Sequence, residues 1–249
     1  MLVGNPILDL QAICCRNEKY ACLFSFYGFF MESVFITGTD TNVGKTFVSA
    51  LIALHTAQHK KTVLYHKPIQ TGGLEDSDAG MVNKLTHHSG VTSSVGLVFE
   101  KPLSPHAASF YEHTEIDFEQ LVAHCPLKSN YDLTLLEGAG GLLVPINKHY
   151  FMIDLIHALT LPVIVVARSS LGTINHTLLS LEALKKRSIP IVGIAMVGDY
   201  NKDNEEAIRW YGNMDNIIAI PWLKDINTTS LHKLALEKQT ELRRFLNFP

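Results

Sequence analysis

Short apolar runs rich in β-branched residues alternate with segments of helical spacing from about residue 31 to the C-terminus. Each of these runs is short and bounded by polar, Gly or Pro residues, which predicts strands buried in a sheet. The predicted strands are Ser33–Thr37, Thr62–His66, Gly96–Phe99, Tyr131–Leu136, Leu161–Ala167, Ile189–Val197 and Ile217–Ile220.

Between the strands, apolar residues spaced three or four apart predict helices. The predicted helices are Thr46–His59, Ala79–His87, Phe118–His124, Met152–Leu159, Thr177–Arg187, Asn204–Tyr211 and Thr229–Phe245, while Ser104–His106 is predicted to be irregular. Strand and helix alternate without internal repeats. The fold class is therefore α/β, with one doubly wound, mostly parallel sheet of about seven strands and helices on both faces.

The length and composition of the chain fit one domain. Its 249 residues are 47% hydrophobic, which is enough for a sizeable core. We expect residues 31–249 to form this domain and Met1–Phe30 to be an extension outside the fold, with Met31 as the natural start. The apolar run Ala21–Phe30 is too short to span a bilayer, which takes ~20 residues, so no membrane association is expected.

The charge and the cysteine positions argue against a nucleic-acid partner and against a disulfide framework. The formal net charge is −3, the pI is near 6.4 and the basic residues are scattered, so nucleic acid is not an expected partner. Three of the four cysteines fall in the first thirty residues without metal-type pairing. Free thiols in a reducing, cytoplasmic location are therefore expected.

The stretch from Gly38 to Thr46 is typical of a phosphate-binding loop. It follows a predicted strand and opens a predicted helix, and that context supports such a motif. Glycines let the backbone N–H groups face an anion, and Lys45 adds a mobile positive charge. The hydroxyl of Thr46 is in position to ligate Mg²⁺ beside the phosphates of a nucleotide. Gly38 and Gly44 enclose five residues, whereas the usual pattern has four.

Further polar residues follow the ends of two other predicted strands. Lys67 and Thr71 come after the second strand, and Glu137 closes a buried strand ahead of Gly138–Gly141. Ligands of parallel sheets bind beyond the carboxyl ends of the strands, so we favour functional roles for these residues. The alternatives are a solvated lysine at position 67 and a flexible turn with a solvated glutamate at 137.

Two helix starts have two interpretations each. Asp78 lies at the start of a predicted helix and is either a helix cap or a metal ligand. Hydroxyls, a glycine and an amide crowd Ser169–His176 before another predicted helix, which favours an anion such as a carboxylate. Simple N-capping by Thr173 or Asn175 is the alternative there.

Taken together, these motifs resemble the dethiobiotin synthetase family in content and in order from about Met31 to Leu223. The matching segments are Gly38–Thr46, Lys67–Gly72, Ser77–Asp78, Glu137–Gly141, Leu171–His176 and Ile220–Leu223. The five-residue loop spacing is itself the family's form. The resemblance implies a P-loop NTPase fold and a cyclo-ligase that forms dethiobiotin, a cyclic urea, from 7,8-diaminononanoate, CO2 and ATP. A carbamate and its mixed anhydride with phosphate are the implied intermediates, and ADP and phosphate are the implied by-products.

The resemblance also implies roles for individual residues. Lys45, Lys67 and Thr41 are implied to be catalytic, and Thr46, Asp78 and Glu137 to hold Mg²⁺. Thr41, Thr71, Gly172 and Asn175 are implied to bind the substrate, the last two across the interface of a homodimer. The implied nucleotide-binding residues are Asn42, Val43, Gly44, Lys45, Thr46, Phe47, Asp78, Glu137, Gly138, Ala139, Gly140, Pro221, Trp222 and Leu223.

Two positions depart from the family's motif. Val197-Gly198-Asp199 stands where relatives carry an asparagine that reads adenine, and Thr228 stands where an acidic residue lies near the ribose. Relaxed selectivity among nucleoside triphosphates is therefore expected. For His66, His87, His88 and His106 the motif assigns no role, and we expect structural ones.

A ParA/MinD-like switch ATPase is the alternative function. Those proteins resemble this chain in the sheet but carry an extra lysine near the start of the loop, where this chain has Asp40. A basic amphipathic membrane helix would also favour the switch, yet Leu231–Phe245 mixes acidic with basic residues. The amidation enzymes of cobalamin synthesis are a third possibility, but they need a long glutaminase domain that has no counterpart in this sequence.

Overall fold

The structure is a computed structural model that describes residues 32–75, 77–87, 89–127 and 129–246. The predicted extension Met1–Phe30 and start at Met31, as well as His88, lie outside the described residues. Within the described ranges, seven strands form one sheet: β1 (Ser33–Gly38), β2 (Val63–Thr71), β3 (Val91–Phe99), β4 (Leu133–Gly141), β5 (Val163–Arg168), β6 (Ile191–Val197) and β7 (Ile217–Ile220).

The strand order is β3-β2-β4-β1-β5-β6-β7, and every neighbouring pair is parallel. The chain thus winds in both directions from the central β1, which confirms the predicted doubly wound α/β fold. In such a sheet the ligand site lies at the carboxyl ends of the strands where the winding reverses. Here that place is the end of β1, between β4 and β5.

Helices alternate with the strands. They are α1 (Lys45–Gln58), α2 (Asp78–Leu85), α3 (Pro105–Tyr111), α4 (Phe118–His124), α5 (Met152–Leu159), α6 (Thr173–Lys186), α7 (Lys202–Gly212), α8 (Thr228–Glu237) and α9 (Gln239–Leu246). Among the described helices, none is long and apolar enough to cross a membrane.

The main hydrophobic core lies between the sheet and the helices on one of its faces. Phe35 of β1 and Leu136 of β4 are fully buried there and pack with Met152 and Ile156 of α5. These central strands read as nearly continuous apolar runs because both faces of the sheet are covered.

Strand β2 is longer than predicted, because the structure continues it through Pro68 to Thr71. Pairing with β4 ends at His66, so the missing N–H of Pro68 interrupts no ladder on that side. On the other side Gly96 of β3 lets the strands approach, because a Cβ there would lie 2.5 Å from the carbonyl oxygen of Pro68. Lys67 is consequently inside a strand and not after one.

Other predicted bounds were also wrong, and strand β4 continues five residues past its predicted end, through Gly141. The edge strand β3 begins at Val91, five residues before the predicted run, and its polar Thr92–Ser94 hid it from the apolar pattern. Pro105 begins helix α3 within the stretch predicted to be irregular. Helix α6 begins at Thr173, four residues early. The predicted terminal helix is two helices that meet at Lys238.

Candidate active site

The phosphate-loop motif lies between β1 and α1, as predicted. Gly44 caps α1 with a left-handed backbone (φ 97°) and no side-chain cap, so the first N–H groups of the helix remain available to an anion. A Cβ at Gly44 would lie 3.2 Å from both Trp222 and Val197. Glycine is required here by backbone conformation and by space.

Lys45 is buried at the start of α1 and donates to the carbonyl oxygen of Asp40 at 3.2 Å. Burial lowers its pKa from the ordinary lysine value, while the charge of Glu137 opposes that shift. In the described part of the chain, the carbonyl oxygen of Asp40 in the same loop is the one hydrogen-bond acceptor found for this ammonium.

A cluster of polar side chains from four elements converges beside the loop. Thr46 of α1 donates to Asp78 at 2.6 Å and to Glu137 at 2.9 Å. Lys67 of β2 pairs with Asp78 at 2.6 Å and with Glu137 at 3.1 Å, and it donates to the carbonyl oxygen of Gly138 at 3.2 Å. Four side chains that span residues 46 to 137 thus lie at one rim of the sheet.

The charges of this cluster are mutually stabilised. Burial alone would favour the neutral amine of Lys67, but the charges of Glu137 and Asp78 outweigh it and raise the pKa of Lys67. Burial alone would raise the pKa of Asp78, but Lys67 and the hydroxyl of Thr46 hold that pKa below the ordinary value. Both groups are therefore ionised near neutral pH.

Both simpler interpretations of the two carboxylates are wrong. Glu137 lies inside β4 and is 0% exposed, so it is neither in a flexible turn nor solvated. Helix α2 is capped by Ser77, whose side chain accepts from the N–H of Gly80. The side chain of Gln70 accepts from the N–H of Asp78 at 3.2 Å and thereby fixes the start of α2 against β2.

Ser49 is a member of the cluster that the motif analysis missed. It is fully buried one turn after Thr46 and donates to the second carboxylate oxygen of Glu137 at 2.7 Å. Ser49 thus fixes one carboxylate oxygen of Glu137, while the other oxygen faces Thr46 and Lys67. The available signal was a hydroxyl three residues after Thr46, which places both on one helix face.

The residues predicted to bind the nucleotide lie around the same loop. The ring of Trp222 is 5.6 Å from the ring of Phe47, centroid to centroid, and half of Trp222 is exposed. Asn42 takes a left-handed backbone at the crest of the loop (φ 57°), and Val43 is buried beneath it. Pro221 and Leu223 flank Trp222 directly after β7. Gly138 and Ala139 continue β4 to Gly140.

The predicted substrate-binding residues are less tightly grouped. Thr41 is exposed at the loop crest, and its hydroxyl is 3.3 Å from where a Cβ of Gly140 would lie. Thr71 ends β2. Gly172 caps α6 in a left-handed conformation, so capping by Thr173 or Asn175 is wrong. Within the described residues, no hydrogen bond or ion pair joins Gly172 or Asn175 to the cluster.

The donor atoms of the cluster fit a hard divalent cation. Thr46, Asp78 and Glu137 bring one hydroxyl and two carboxylates together, and oxygen is the ligand type that Mg²⁺ prefers. No group of three His, Cys, Asp or Glu side chains that could form a closed metal cage occurs in the described ranges. A few protein oxygens completed by water and phosphate are the usual Mg²⁺ environment in nucleotide enzymes.

Comparison with known proteins gives a consistent result. The family described as "AAA domain" matches residues 32–230. The ATP-dependent dethiobiotin synthetase BioD of Lawsonia intracellularis is 44% identical over 205 residues, which cover 82% of this chain and 95% of that protein. The same enzyme of Paramagnetospirillum magneticum is 44% identical over 201 residues, which cover 81% and 93%.

Solved structures show a likeness in fold. MinD in the MinC:MinD complex of Aquifex aeolicus aligns with a TM-score of 0.58 at 16% identity, covering 88% of this chain and 96% of that one. A ParA family ATPase from Chlorobium tepidum aligns with a TM-score of 0.55, also at 16% identity, covering 88% and 98%.

Proposed function

The chain belongs to the dethiobiotin synthetase family and is an ATP-dependent ligase that forms dethiobiotin, and from this premise we propose that the cluster around Lys67 is its active site. The observation that carries the proposal is the convergence of Lys67, Asp78, Glu137 and Thr46 beside the phosphate loop. Phosphoryl transfer depends mainly on aligned atoms and compensated charge, and this cluster offers both.

In the proposed reaction one amine of 7,8-diaminononanoate attacks CO2 and forms a carbamate. A carbamate oxygen then attacks the γ-phosphorus of ATP, and ADP leaves. The second amine attacks the carbonyl carbon of the mixed anhydride and expels phosphate, which closes the cyclic urea. Each amine loses its proton to solvent or to phosphate as its new C–N bond forms.

Lys45 and Lys67 have different tasks in this proposal. Lys45 binds the phosphate oxygens from the loop side, whereas the ammonium of Lys67 offsets the negative charge of the carbamate and the transferring phosphoryl group. Thr46, Asp78 and Glu137 would hold Mg²⁺, which supplies positive charge to the triphosphate when bound. Ser49 keeps the carboxylate of Glu137 in the required orientation.

The proposed substrate sites are Thr41 and Thr71 on one protomer and the start of α6 on its partner. Gly172 and Asn175 at that helix start would bind the substrate carboxylate, because the free backbone N–H groups of a helix start donate favourably to an anion. A homodimer would bring this helix start to the cluster of the other protomer. Within the described part of the chain, no hydrogen bond or ion pair joins this helix start to the cluster of the same protomer.

No observation favours the switch ATPase. The likeness to MinD and ParA lies at 16% identity and concerns the fold. The loop position at which we expected an extra lysine in those proteins is held here by Asp40.

The decisive experiment is direct synthesis. The purified chain is incubated with labelled bicarbonate, Mg-ATP and 7,8-diaminononanoate, and the expected product is a labelled cyclic urea formed with equal amounts of ADP and phosphate. Production of ADP without labelled urea would contradict the proposal.

Two lysine variants with a matched control sharpen this experiment. Lys45→Ala and Lys67→Met should each lower the rate of urea formation by at least ~100-fold, the scale of losing one preorganised charge in an active site. Methionine at 67 keeps the volume, but the buried Glu137 loses its cation, so folding is checked by thermal unfolding. Lys202→Ala, an exposed lysine paired with Glu206, should retain wild-type activity.

A further inference from the structure

The crest of the phosphate loop carries an acidic residue with two separate anchors. One carboxylate oxygen of Asp40 accepts the backbone N–H of Thr41 at 2.7 Å, and the other accepts from the guanidinium of Arg168 at 2.7 Å. The carbonyl oxygen of Asp40 accepts from Lys45. A single residue therefore connects Arg168 to both Thr41 and Lys45.

Arg168 is placed for this contact by the sheet. It is the last residue of β5, which pairs with β1 directly below the loop, and the N–H of Thr39 donates to Val166 of the same strand at 2.9 Å. The lower part of the loop is thus fixed by backbone pairing. Above it, Asp40, Thr41 and Asn42 are exposed. Among the described residues, one ion pair reaches this exposed part of the loop, and it joins Arg168 to Asp40.

A carboxylate in this position is unfavourable for a loop that receives phosphates. Negative charge near the triphosphate repels it, and the repulsion acts over several ångströms near a protein surface. The guanidinium of Arg168 cancels that charge where it arises. Because Arg168 and Asp40 are 40% and 52% exposed, the pair adds little to folding stability in water. Its consequence is expected in nucleotide binding.

We propose that Arg168 is a positioning residue of the nucleotide site, which neutralises Asp40 and holds the loop crest so that Thr41 and Lys45 face the triphosphate. The inference rests on the proposed function only in requiring that the loop binds a nucleotide. Asp40 lies within the phosphate-loop motif, but Arg168 does not, and Arg168 follows Asp40 by 128 residues in sequence.

The test is calorimetric titration of ADP and of ATP, each with Mg²⁺, which needs neither CO2 nor the diamine. Arg168→Ala leaves Asp40 uncompensated and should weaken ATP binding about tenfold, the scale of one unpaired charge near the phosphates. Asp40→Asn combined with Arg168→Ala removes the repulsion and should return the Kd to within about threefold of wild type. Arg168→Lys keeps the charge but loses the planar guanidinium, so its Kd for ATP should lie between those of the wild type and of Arg168→Ala.

The control is Arg187→Ala, because Arg187, at the end of α6, forms a partly exposed, longer pair with Asp154 at 3.7 Å. It should bind ATP as the wild type does. A Kd for Arg168→Ala within twofold of wild type would overturn the inference, and so would a double variant that binds no better than Arg168→Ala. Absence of nucleotide binding by the wild-type chain would overturn the proposed function as well.

Discussion

Glu137 is a fully buried carboxylate whose two oxygens face different partners. Ser49 donates to one oxygen, and Thr46 and Lys67 donate to the other. Removing one partner of a buried charge typically costs about 3–5 kcal/mol because the remaining charge is left without compensation. The site is consequently rigid on its sheet side, which suits a reaction that depends on alignment.

Base selectivity is a second matter decided by single residues. At the end of β6 the side chain of Val197 faces Gly44, and Gly198 offers no side chain. The nearby amides are committed elsewhere: Asn201 accepts from the N–H of Asn204 at the start of α7, and Asn204 itself donates to the carbonyl oxygen of Ser169. Within the described residues, we therefore assign no amide to the edge of the base.

We expect GTP or CTP to support urea formation with a kcat/KM within about tenfold of that for ATP, a gap of ~1.4 kcal/mol. Without a polar group that pairs with adenine, the site discriminates between bases only by shape and stacking. A panel of nucleoside triphosphates measures this. Trp222→Ala should lower the kcat/KM of all of them by a similar factor, because an aromatic face stacks on any base. A preference for ATP above ~100-fold would contradict the expectation.

At the scale of elements, α6, the residue Leu171 just before it and α7 present apolar side chains to solvent, and the end of α7 packs along the middle and last turns of α6. Leu171 is 97% exposed, Trp210 is 81% exposed, and Leu179 and Tyr211 are also exposed. The two helices pack against each other, so their exposed residues belong to neighbouring surfaces. Large exposed apolar groups of this kind are typical of interfaces.

We expect this surface to form the homodimer interface. Sedimentation velocity should show a dimer for the wild-type chain, and Trp210→Glu should shift it toward the monomer by burying a charge in the contact. The same variant should raise the KM for the diamine and leave the affinity for ATP unchanged. Phe110→Glu, a change at an aromatic on α3 that is 73% exposed, serves as the control and should remain dimeric. A monomeric wild type at micromolar concentration would refute this assignment.

The bounds of elements were predicted well where the element's own apolar pattern specifies them, and poorly where contacts with other parts of the chain do. Helix α5 and strand β7 have the predicted bounds because their own apolar patterns specify them. The length of β2 depends on Gly96 of β3, which no pattern within β2 reveals. The early start of α6 depends on the left-handed Gly172, which replaces a side-chain cap.

At the scale of the whole molecule, two buried histidines link stability to pH. Burial lowers the pKa of His66 to about 4, and burial together with the charges of His59 and Arg243 lowers the pKa of His55 to about 4. In the unfolded chain both titrate near 6.5. The unfolded state therefore binds more protons between these values, so stability present above pH ~6.5 is lost as the pH falls toward 4.

We expect the free energy of unfolding to fall by at most about 3 kcal/mol per histidine across this range. His66→Gln should flatten the dependence, because an amide retains a hydrogen bond to Ser94 but does not titrate. Denaturant unfolding at pH 7 and at pH 4.5 gives the free energy of unfolding of both proteins at each pH. An equal loss of this free energy in the variant and the wild type would contradict this origin of the acid sensitivity.

The sequence alone predicted the phosphate loop and the alternation of strand and helix, because loop chemistry and apolar periodicity are local properties of the chain. It also pointed to Lys67 and Glu137 by their places near strand ends, and to Asp78 through the family resemblance. The meeting of Lys67 with both carboxylates, the support of Glu137 by Ser49 and the pairing of Arg168 with Asp40 were decided by the tertiary structure. Each of these contacts joins different elements, and strand order and register set their distances. No local pattern carries that information.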